Sequence, residues 1–122
     1  MTRRSSLVLV VLALAFAAAL PAADVTGSWK ADFETPVGHR NYTYDLKADG
    51  AALTGKATSE RGEAEIAEGK VNGDEIFFVE PLEIQGQEIR IEYTGKVSGD
   101  EIQFKRQVGD FGSQEFVAKR VK

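Results

Sequence analysis

Residues 69–78 read GKVNGDEIFF and residues 95–104 read GKVSGDEIQF, identical at eight of ten positions and offset by 26. A looser third copy precedes them: Lys47, Gly50 and Leu53 stand where Lys70, Gly73, Ile76 and Lys96, Gly99, Ile102 stand in the other two. Each copy sets Asp-Gly, Asn-Gly or Ser-Gly between β-type segments. The first two dipeptides are the strongest short-range hairpin signals, because a type I′ turn needs positive φ at both central residues. A chain built on a repeated hairpin, with no sustained 3.6-residue period anywhere after Gly27, is confined to all-β folds.

Eight segments follow from the alternation of apolar and polar residues. They span about 27–34, 39–48, 51–58, 64–71, 74–82, 87–97, 100–108 and 114–121. Turns fall at Thr35-Pro36-Val37-Gly38, Asp49-Gly50, Glu60-Arg61-Gly62-Glu63, Asn72-Gly73, Gln85-Gly86, Ser98-Gly99 and Gly109–Ser113. Two-residue hairpins set the register, so partners can be counted away from each turn. Around Ser98-Gly99 the count pairs Lys96 with Glu101, Thr94 with Gln103, and Glu92 with Lys105; around Asn72-Gly73 it pairs Lys70 with Glu75. Around Gln85-Gly86 it pairs Leu82 with Ile89, Glu80 with Ile91, and Phe78 with Tyr93. One face of every segment is apolar.

Eight antiparallel segments joined by short turns would leave two long edges bare if the sheet stayed open. The economical fold is an all-β, eight-stranded antiparallel up-and-down (meander) barrel; a flattened sandwich of the same meander is the alternative. The Gly hairpins gather at one end and the longer turns at the other. Inward Gly55, Gly69 and Gly95 leave room for large residues opposite, counted as Tyr44, Ile76 and Ile102.

Residues 1–23 read as a signal peptide: Arg3 and Arg4, an apolar run from Leu7 to Leu20, then Pro21-Ala22-Ala23. The run is short for a membrane span. The expected domains are therefore 1–23, signal peptide, and 24–122, a single β-barrel domain, with a periplasmic or extracellular location and no membrane contact in the mature form. Cleavage after Ala23 removes two of 15 bases and none of 19 acids, leaving 13 − 19 = −6. Such a charge disfavours nucleic acid. With no cysteine and one histidine, neither a disulfide nor a structural zinc site is expected. No cofactor is expected.

Gly27-Ser28-Trp29, with Arg120 near the close of the chain, resembles the G-x-W of lipocalins and the wider calycin barrels. That resemblance implies a Trp packed at the closed end beneath an Arg. The chain is shorter than a lipocalin and lacks its C-terminal helix; its size is similar to a streptavidin-type barrel, without that family's biotin-site pattern. The runs Tyr42–Lys47, Leu53–Ala57, Tyr93–Ile102 and Val108–Phe111 also resemble small secreted bacterial domains of uncharacterised function. The latter resemblance implies a companion of secreted hydrolases, some of them carbohydrate-active.

Four charges break the apolar inner face by the same count. Glu80 faces Ile91, which faces Arg106; Arg40 continues the Leu46–Tyr44–Tyr42 row; Glu65 lies opposite Glu80. With Tyr42 they form a polar ring at the end with the longer turns, the arrangement by which a small barrel holds one ligand. Two acids and two arginines also balance without a guest, as a closed internal network. Glu65 and Glu80 could be read as a glycosidase acid pair, but no extended cleft accompanies them. His39 has no nucleophile beside it and reads as an exposed turn residue.

Outside, Ile66, Phe77 and Val79 cluster on the polar face, which suggests a partner contact unless a bulge turns them inward. The expected function is a non-catalytic binding module for a small amphipathic or acidic ligand, or a sugar, at the barrel mouth. The alternative is a structural or protein-interaction domain with a filled barrel, docking on a secreted enzyme or on itself.

Overall fold

The computed structural model describes residues 24–122; the signal-peptide reading of 1–23 lies outside the described residues. The strands are β1 (Gly27–Thr35), β2 (Gly38–Asp49), β3 (Ala52–Ser59), β4 (Gly62–Glu65), β5 (Ala67–Asn72), β6 (Glu75–Ile84), β7 (Gln87–Ser98), β8 (Glu101–Val108) and β9 (Ser113–Arg120). They form one antiparallel sheet in the order β2-β1-β9-β8-β7-β6-β5-β3-β4, closed by a further β2–β3 pairing. Strands β4 and β5 both pair with β3 and act as one wall, so the fold is a closed eight-stranded up-and-down barrel and not a sandwich. Strands β1 and β9 close it, through Trp29↔Arg120 and Lys30↔Lys119.

Two turn geometries decide the register. At Gln85-Gly86 both residues have positive φ, 51° and 79°, the type I′ signature, and the pairs Glu80↔Ile91 and Phe78↔Tyr93 are as counted. At the three closed-end hairpins only the glycine is positive: Gly50 at 63°, Gly73 at 65° and Gly99 at 60°. Glycine is the first central residue there, which is the type II′ pattern, and the loops are Gly50-Ala51, Gly73-Asp74 and Gly99-Asp100. The pairing therefore slides by two residues. Ser98 meets Glu101, Lys96 meets Gln103, Thr94 meets Lys105, Glu92 meets Gln107 and Asn72 meets Glu75. Arg106 faces Tyr93 and not Ile91. Gly55 lies opposite Leu46, and Gly95 between Ile76 and Phe104. A slip of two keeps every side chain on its face, so the inner face survives the error.

The fourth wall differs by one residue, and there the faces do flip. The register shifts between Ala67 and Lys70, a bulge in which Glu68 adopts φ 56°. Past the bulge Ile66 points inward and is buried in the core, while Glu65 is exposed opposite Lys56. Gly69 lets the chain approach β3 there: a Cβ on it would lie 1.9 Å from the Leu53 carbonyl oxygen.

The lumen is filled. Trp29, Tyr44, Tyr93, Phe78, Ile91 and Ile102 are its largest fully buried side chains, and Phe78, Tyr93, Tyr44 and Phe104 make mutual ring contacts at centroid distances of 4.5–6.0 Å. At the closed end the Arg120 guanidinium lies over the Trp29 ring at 4.3 Å and donates to the carbonyls of Thr26 and Asp24, each at 2.9 Å. The Trp29 indole N–H donates to the Val25 carbonyl at 2.9 Å. These bonds tie residues 24–26 across the barrel floor.

Candidate functional site

Above the aromatic core, a layer of polar side chains crosses the lumen. Tyr42 comes from β2, Glu80 from β6, Tyr93 from β7, Arg106 from β8 and Gln114 from β9, each on an inward position of its strand. Glu80 and Arg106 are 3% and 5% exposed. Burial at this level demands that every polar atom find a partner. Tyr42 donates to Glu80 Oε2 at 2.9 Å and Tyr93 donates to Glu80 Oε1 at 2.7 Å. Arg106 donates through Nε to the Tyr93 hydroxyl at 2.9 Å, through Nη2 to the Tyr42 hydroxyl at 3.2 Å, and through Nη1 to Gln114 Oε1 at 2.9 Å. Tyr44 donates to the Tyr93 hydroxyl at 3.0 Å.

Counting protons fixes the direction of each bond. The Tyr93 oxygen receives from Tyr44 and Arg106 and so gives its own proton to Glu80; the Tyr42 oxygen receives from Arg106 and does the same. Glu80 is left as an acceptor at both oxygens. Glu80 and Arg106 do not touch: no ion pair joins them, and the two hydroxyls relay between the charges. No buried side-chain nitrogen or oxygen among the described residues lacks a partner.

The electrostatics keep this arrangement protonated as drawn. Burial, then the neighbouring Glu80, pushes the Tyr42 hydroxyl above its ordinary value. Burial pushes Tyr44 and Tyr93 well above theirs. For Arg106 burial acts downward, but Tyr93, Tyr42 and Glu80 outweigh it and hold the guanidinium above its usual value. The guanidinium carbon also lies 5.2, 5.3 and 5.8 Å from the ring centroids of Phe33, Tyr42 and Tyr93, within cation–π range. Arg106 thus occupies an aromatic box, with Glu80 one hydroxyl away.

The expected ring is only partly assembled. Glu80, Arg106 and Tyr42 come together with Tyr44, which the sequence sets beside Tyr42; Tyr93 and Gln114 join them, although sequence reasoning did not place these two in the ring. An inward tyrosine at mid-strand needs a hydroxyl partner when buried, and that requirement was the available signal. Arg40 does lie on the inward row, half-buried at the rim, but it reaches Glu60 at 3.4 Å and its neighbour's carbonyl at 3.2 Å, not Glu80. Glu65 is on the outer wall, because the bulge reverses its face, so the Glu65–Glu80 acid pair does not form.

The outer cluster is also corrected. Ile66 is in the core, Phe77 is half-buried, and Val79 faces outward yet is buried. Val79 sits between Ala67 and Glu92 on the flanking strands. Arg90 on β7 pairs with Glu68 on β5 at 2.5 and 2.8 Å and with Glu92 at 2.9 Å, a bridge that crosses β6 beside Val79. The polar face there is closed by its own salt bridge.

Exposed apolar side chains appear elsewhere. Val37 (72%), Ile84 (40%) and Phe111 (75%) project from the turns β1–β2, β6–β7 and β8–β9, all at the end nearer the polar layer. The fourth turn there carries Glu60 and Arg61. Two shallow depressions of ≈ 260 and ≈ 330 Å³ lie on the outer wall across β6–β9, lined mainly by outward polar residues such as Lys96, Gln103, Lys105 and Glu115. No known family model matches the sequence, and no curated protein matches it.

Proposed function

We propose that the chain is an exported, non-catalytic interaction domain of calycin-like build, whose filled barrel is a scaffold and whose open end is the contact face. One observation carries this reading. Of the five large apolar side chains exposed among the described residues, three stand at that single end, Val37 and Phe111 on turns and Ile84 at the last position of β6. Exposed apolar groups gathered on one rim favour contact with another molecule. The closed polar layer supports the scaffold role, since Glu80, Arg106 and Tyr42 already satisfy one another. Trp29 beneath Arg120 supports the calycin likeness, and the resemblance to secreted companions of hydrolases makes a secreted enzyme the first partner to try.

A second reading keeps a small amphipathic or acidic ligand, or a sugar, at the mouth. Arg40 favours it, being inward on the rim and held only by two long contacts, to Glu60 and to the His39 carbonyl. Two measurements separate the readings. A thermal-shift panel of lipids and oligosaccharides reports on the second, because a ligand at 100 times its dissociation constant adds about 2.7 kcal/mol of stability. A shift lost in Arg40→Ala would establish it. Affinity capture from culture supernatant reports on the first: a partner held by the wild type should be lost by Val37→Ser/Ile84→Ser/Phe111→Ser. A partner retained equally by that variant would refute the open-end reading.

A further inference from the structure

Resting on the open end as contact face, we infer that its partner is a basic, apolar protein surface. Counting two residues either side of each open-end turn, Glu34, Glu60, Glu63, Glu83, Glu88 and Asp110 stand against Arg61, so the end carries 1 − 6 = −5, with His39 beside Glu34. Glu60 is paired by Arg40 and Glu63 by Lys56. Glu83, Glu88 and Asp110 have no ion-pair partner among the described residues.

Glu83 and Glu88 make the stronger point. They face one another directly in the second rung from the Gln85-Gly86 turn, below Ile84 and Gln87. Like charges directly opposite in an antiparallel ladder are destabilising. Both are exposed, and they flank Ile84, which continues the inward row of Glu80 and Leu82 past the barrel mouth. A cationic side chain arriving from outside relieves that repulsion while Ile84 and Phe111 gain apolar contact. By the same count the closed end carries Asp49, Asp74, Glu75, Asp100 and Glu101, 0 − 5 = −5, with Asp100 held by Arg120 and Lys122 and with Glu75 and Glu101 opposite Lys96 and Lys119. Net charge therefore does not set the ends apart; the directly opposed Glu83 and Glu88 and the large apolar side chains exposed at the open-end turns do, and no closed-end turn exposes one. The same charges disfavour an anionic lipid surface.

The test is a 15N NMR titration of the mature domain with an amphipathic Leu/Lys helical peptide, its Leu/Glu counterpart, and phosphatidylcholine vesicles. The Leu/Lys peptide should shift the amides of residues 83–88 and 109–112. Its affinity should fall about tenfold between low and high salt, as rim charge pairs do, and again in Glu83→Gln/Glu88→Gln, a surface variant that removes repulsion and should fold at least as well as the wild type. If Leu/Glu binds those amides equally well, the basic partner is refuted while the open end stands. If the vesicles shift them and Leu/Lys does not, a protein partner is refuted. If no probe moves them, or if the shifts spread over the outer wall, both the partner and the open-end reading are overturned.

Discussion

Replacing Arg106 by leucine tests whether the lumen is an electrostatic unit or a collection of packed side chains. The substitution removes three hydrogen bonds and three ring contacts, and it leaves Glu80 as a buried anion facing only two tyrosine donors. Breaking a buried pair by deleting one partner costs about 3–5 kcal/mol, chiefly because the other charge is left uncompensated. For a domain of this size that is a fall in melting temperature of roughly 12–40 °C. Glu80→Gln combined with Arg106→Leu removes the stranded charge, so the double variant should be more stable than Arg106→Leu alone. The coupling should fall within about 0.5–3 kcal/mol, the range for residues in one network.

The geometry adds a sharper condition. Because the two charges meet only through the hydroxyls of Tyr42 and Tyr93, the coupling should shrink when the cycle is repeated in Tyr42→Phe/Tyr93→Phe. Urea unfolding at constant m-value is the assay. Additive losses in the tyrosine-containing background would mean that the charges do not communicate. Undiminished coupling in the phenylalanine background would mean that the relay is not the route.

Three further outcomes follow from single sites. Arg106→Ala should bind ethylguanidinium at millimolar concentration with a rise in melting temperature that ethylammonium does not give, since the vacated box offers ring faces and planar acceptors; equal effects of the two would remove the box from consideration. Gly69→Ala should be strongly destabilising, by more than the ~1 kcal/mol typical of point substitutions, because its Cβ would meet the Leu53 carbonyl oxygen at 1.9 Å, and urea unfolding checks it. His39, the only histidine, should titrate above its ordinary value of 6.5, because it is hydrogen-bonded to Glu34 and then to Asp32. A raised folded-state value means that its stabilising contribution is complete below the unfolded-state value and is lost as pH rises through the folded one; an NMR titration midpoint at or below 6.5 would contradict the contact.

The barrel was legible in the sequence because alternation and turn spacing survive errors of two residues. The turn class was not. Asn72-Gly73 and Ser98-Gly99 invite a type I′ reading, whereas the acid after each glycine supplies the second central residue of a type II′ turn. The chain that actually uses type I′, Gln85-Gly86, gave its partners correctly. Only the one-residue bulge at Glu68 changed faces, and nothing in GEAEIAEGKV announces it except the apolar Ile66 stranded on the wrong parity. That residue was legible as an anomaly. Reading it as a surface contact placed Glu65 inside, where an unpaired carboxylate would have needed a second cation that the lumen does not hold.

The site was less legible for a chemical reason. Charge-breaking of an apolar row identifies Glu80 and Arg106, and a shared row across three strands suggests that they pair. Yet neutral hydroxyls carry the contact, and tyrosines on an inward row look like core until their oxygens are counted. Once counted, they decide where function can lie. A layer in which Glu80 accepts twice, Arg106 donates three times and no buried side-chain atom is orphaned has nothing left to offer a guest. Admitting one would require breaking several bonds at once in a low-dielectric interior, where each is at its strongest. On the proposed reading recognition falls to side chains without internal partners, and at this end those are Val37, Ile84 and Phe111 with the unpaired acids beside them. The same closure that stabilises the lumen leaves the rim as the surface on which binding costs the fold least.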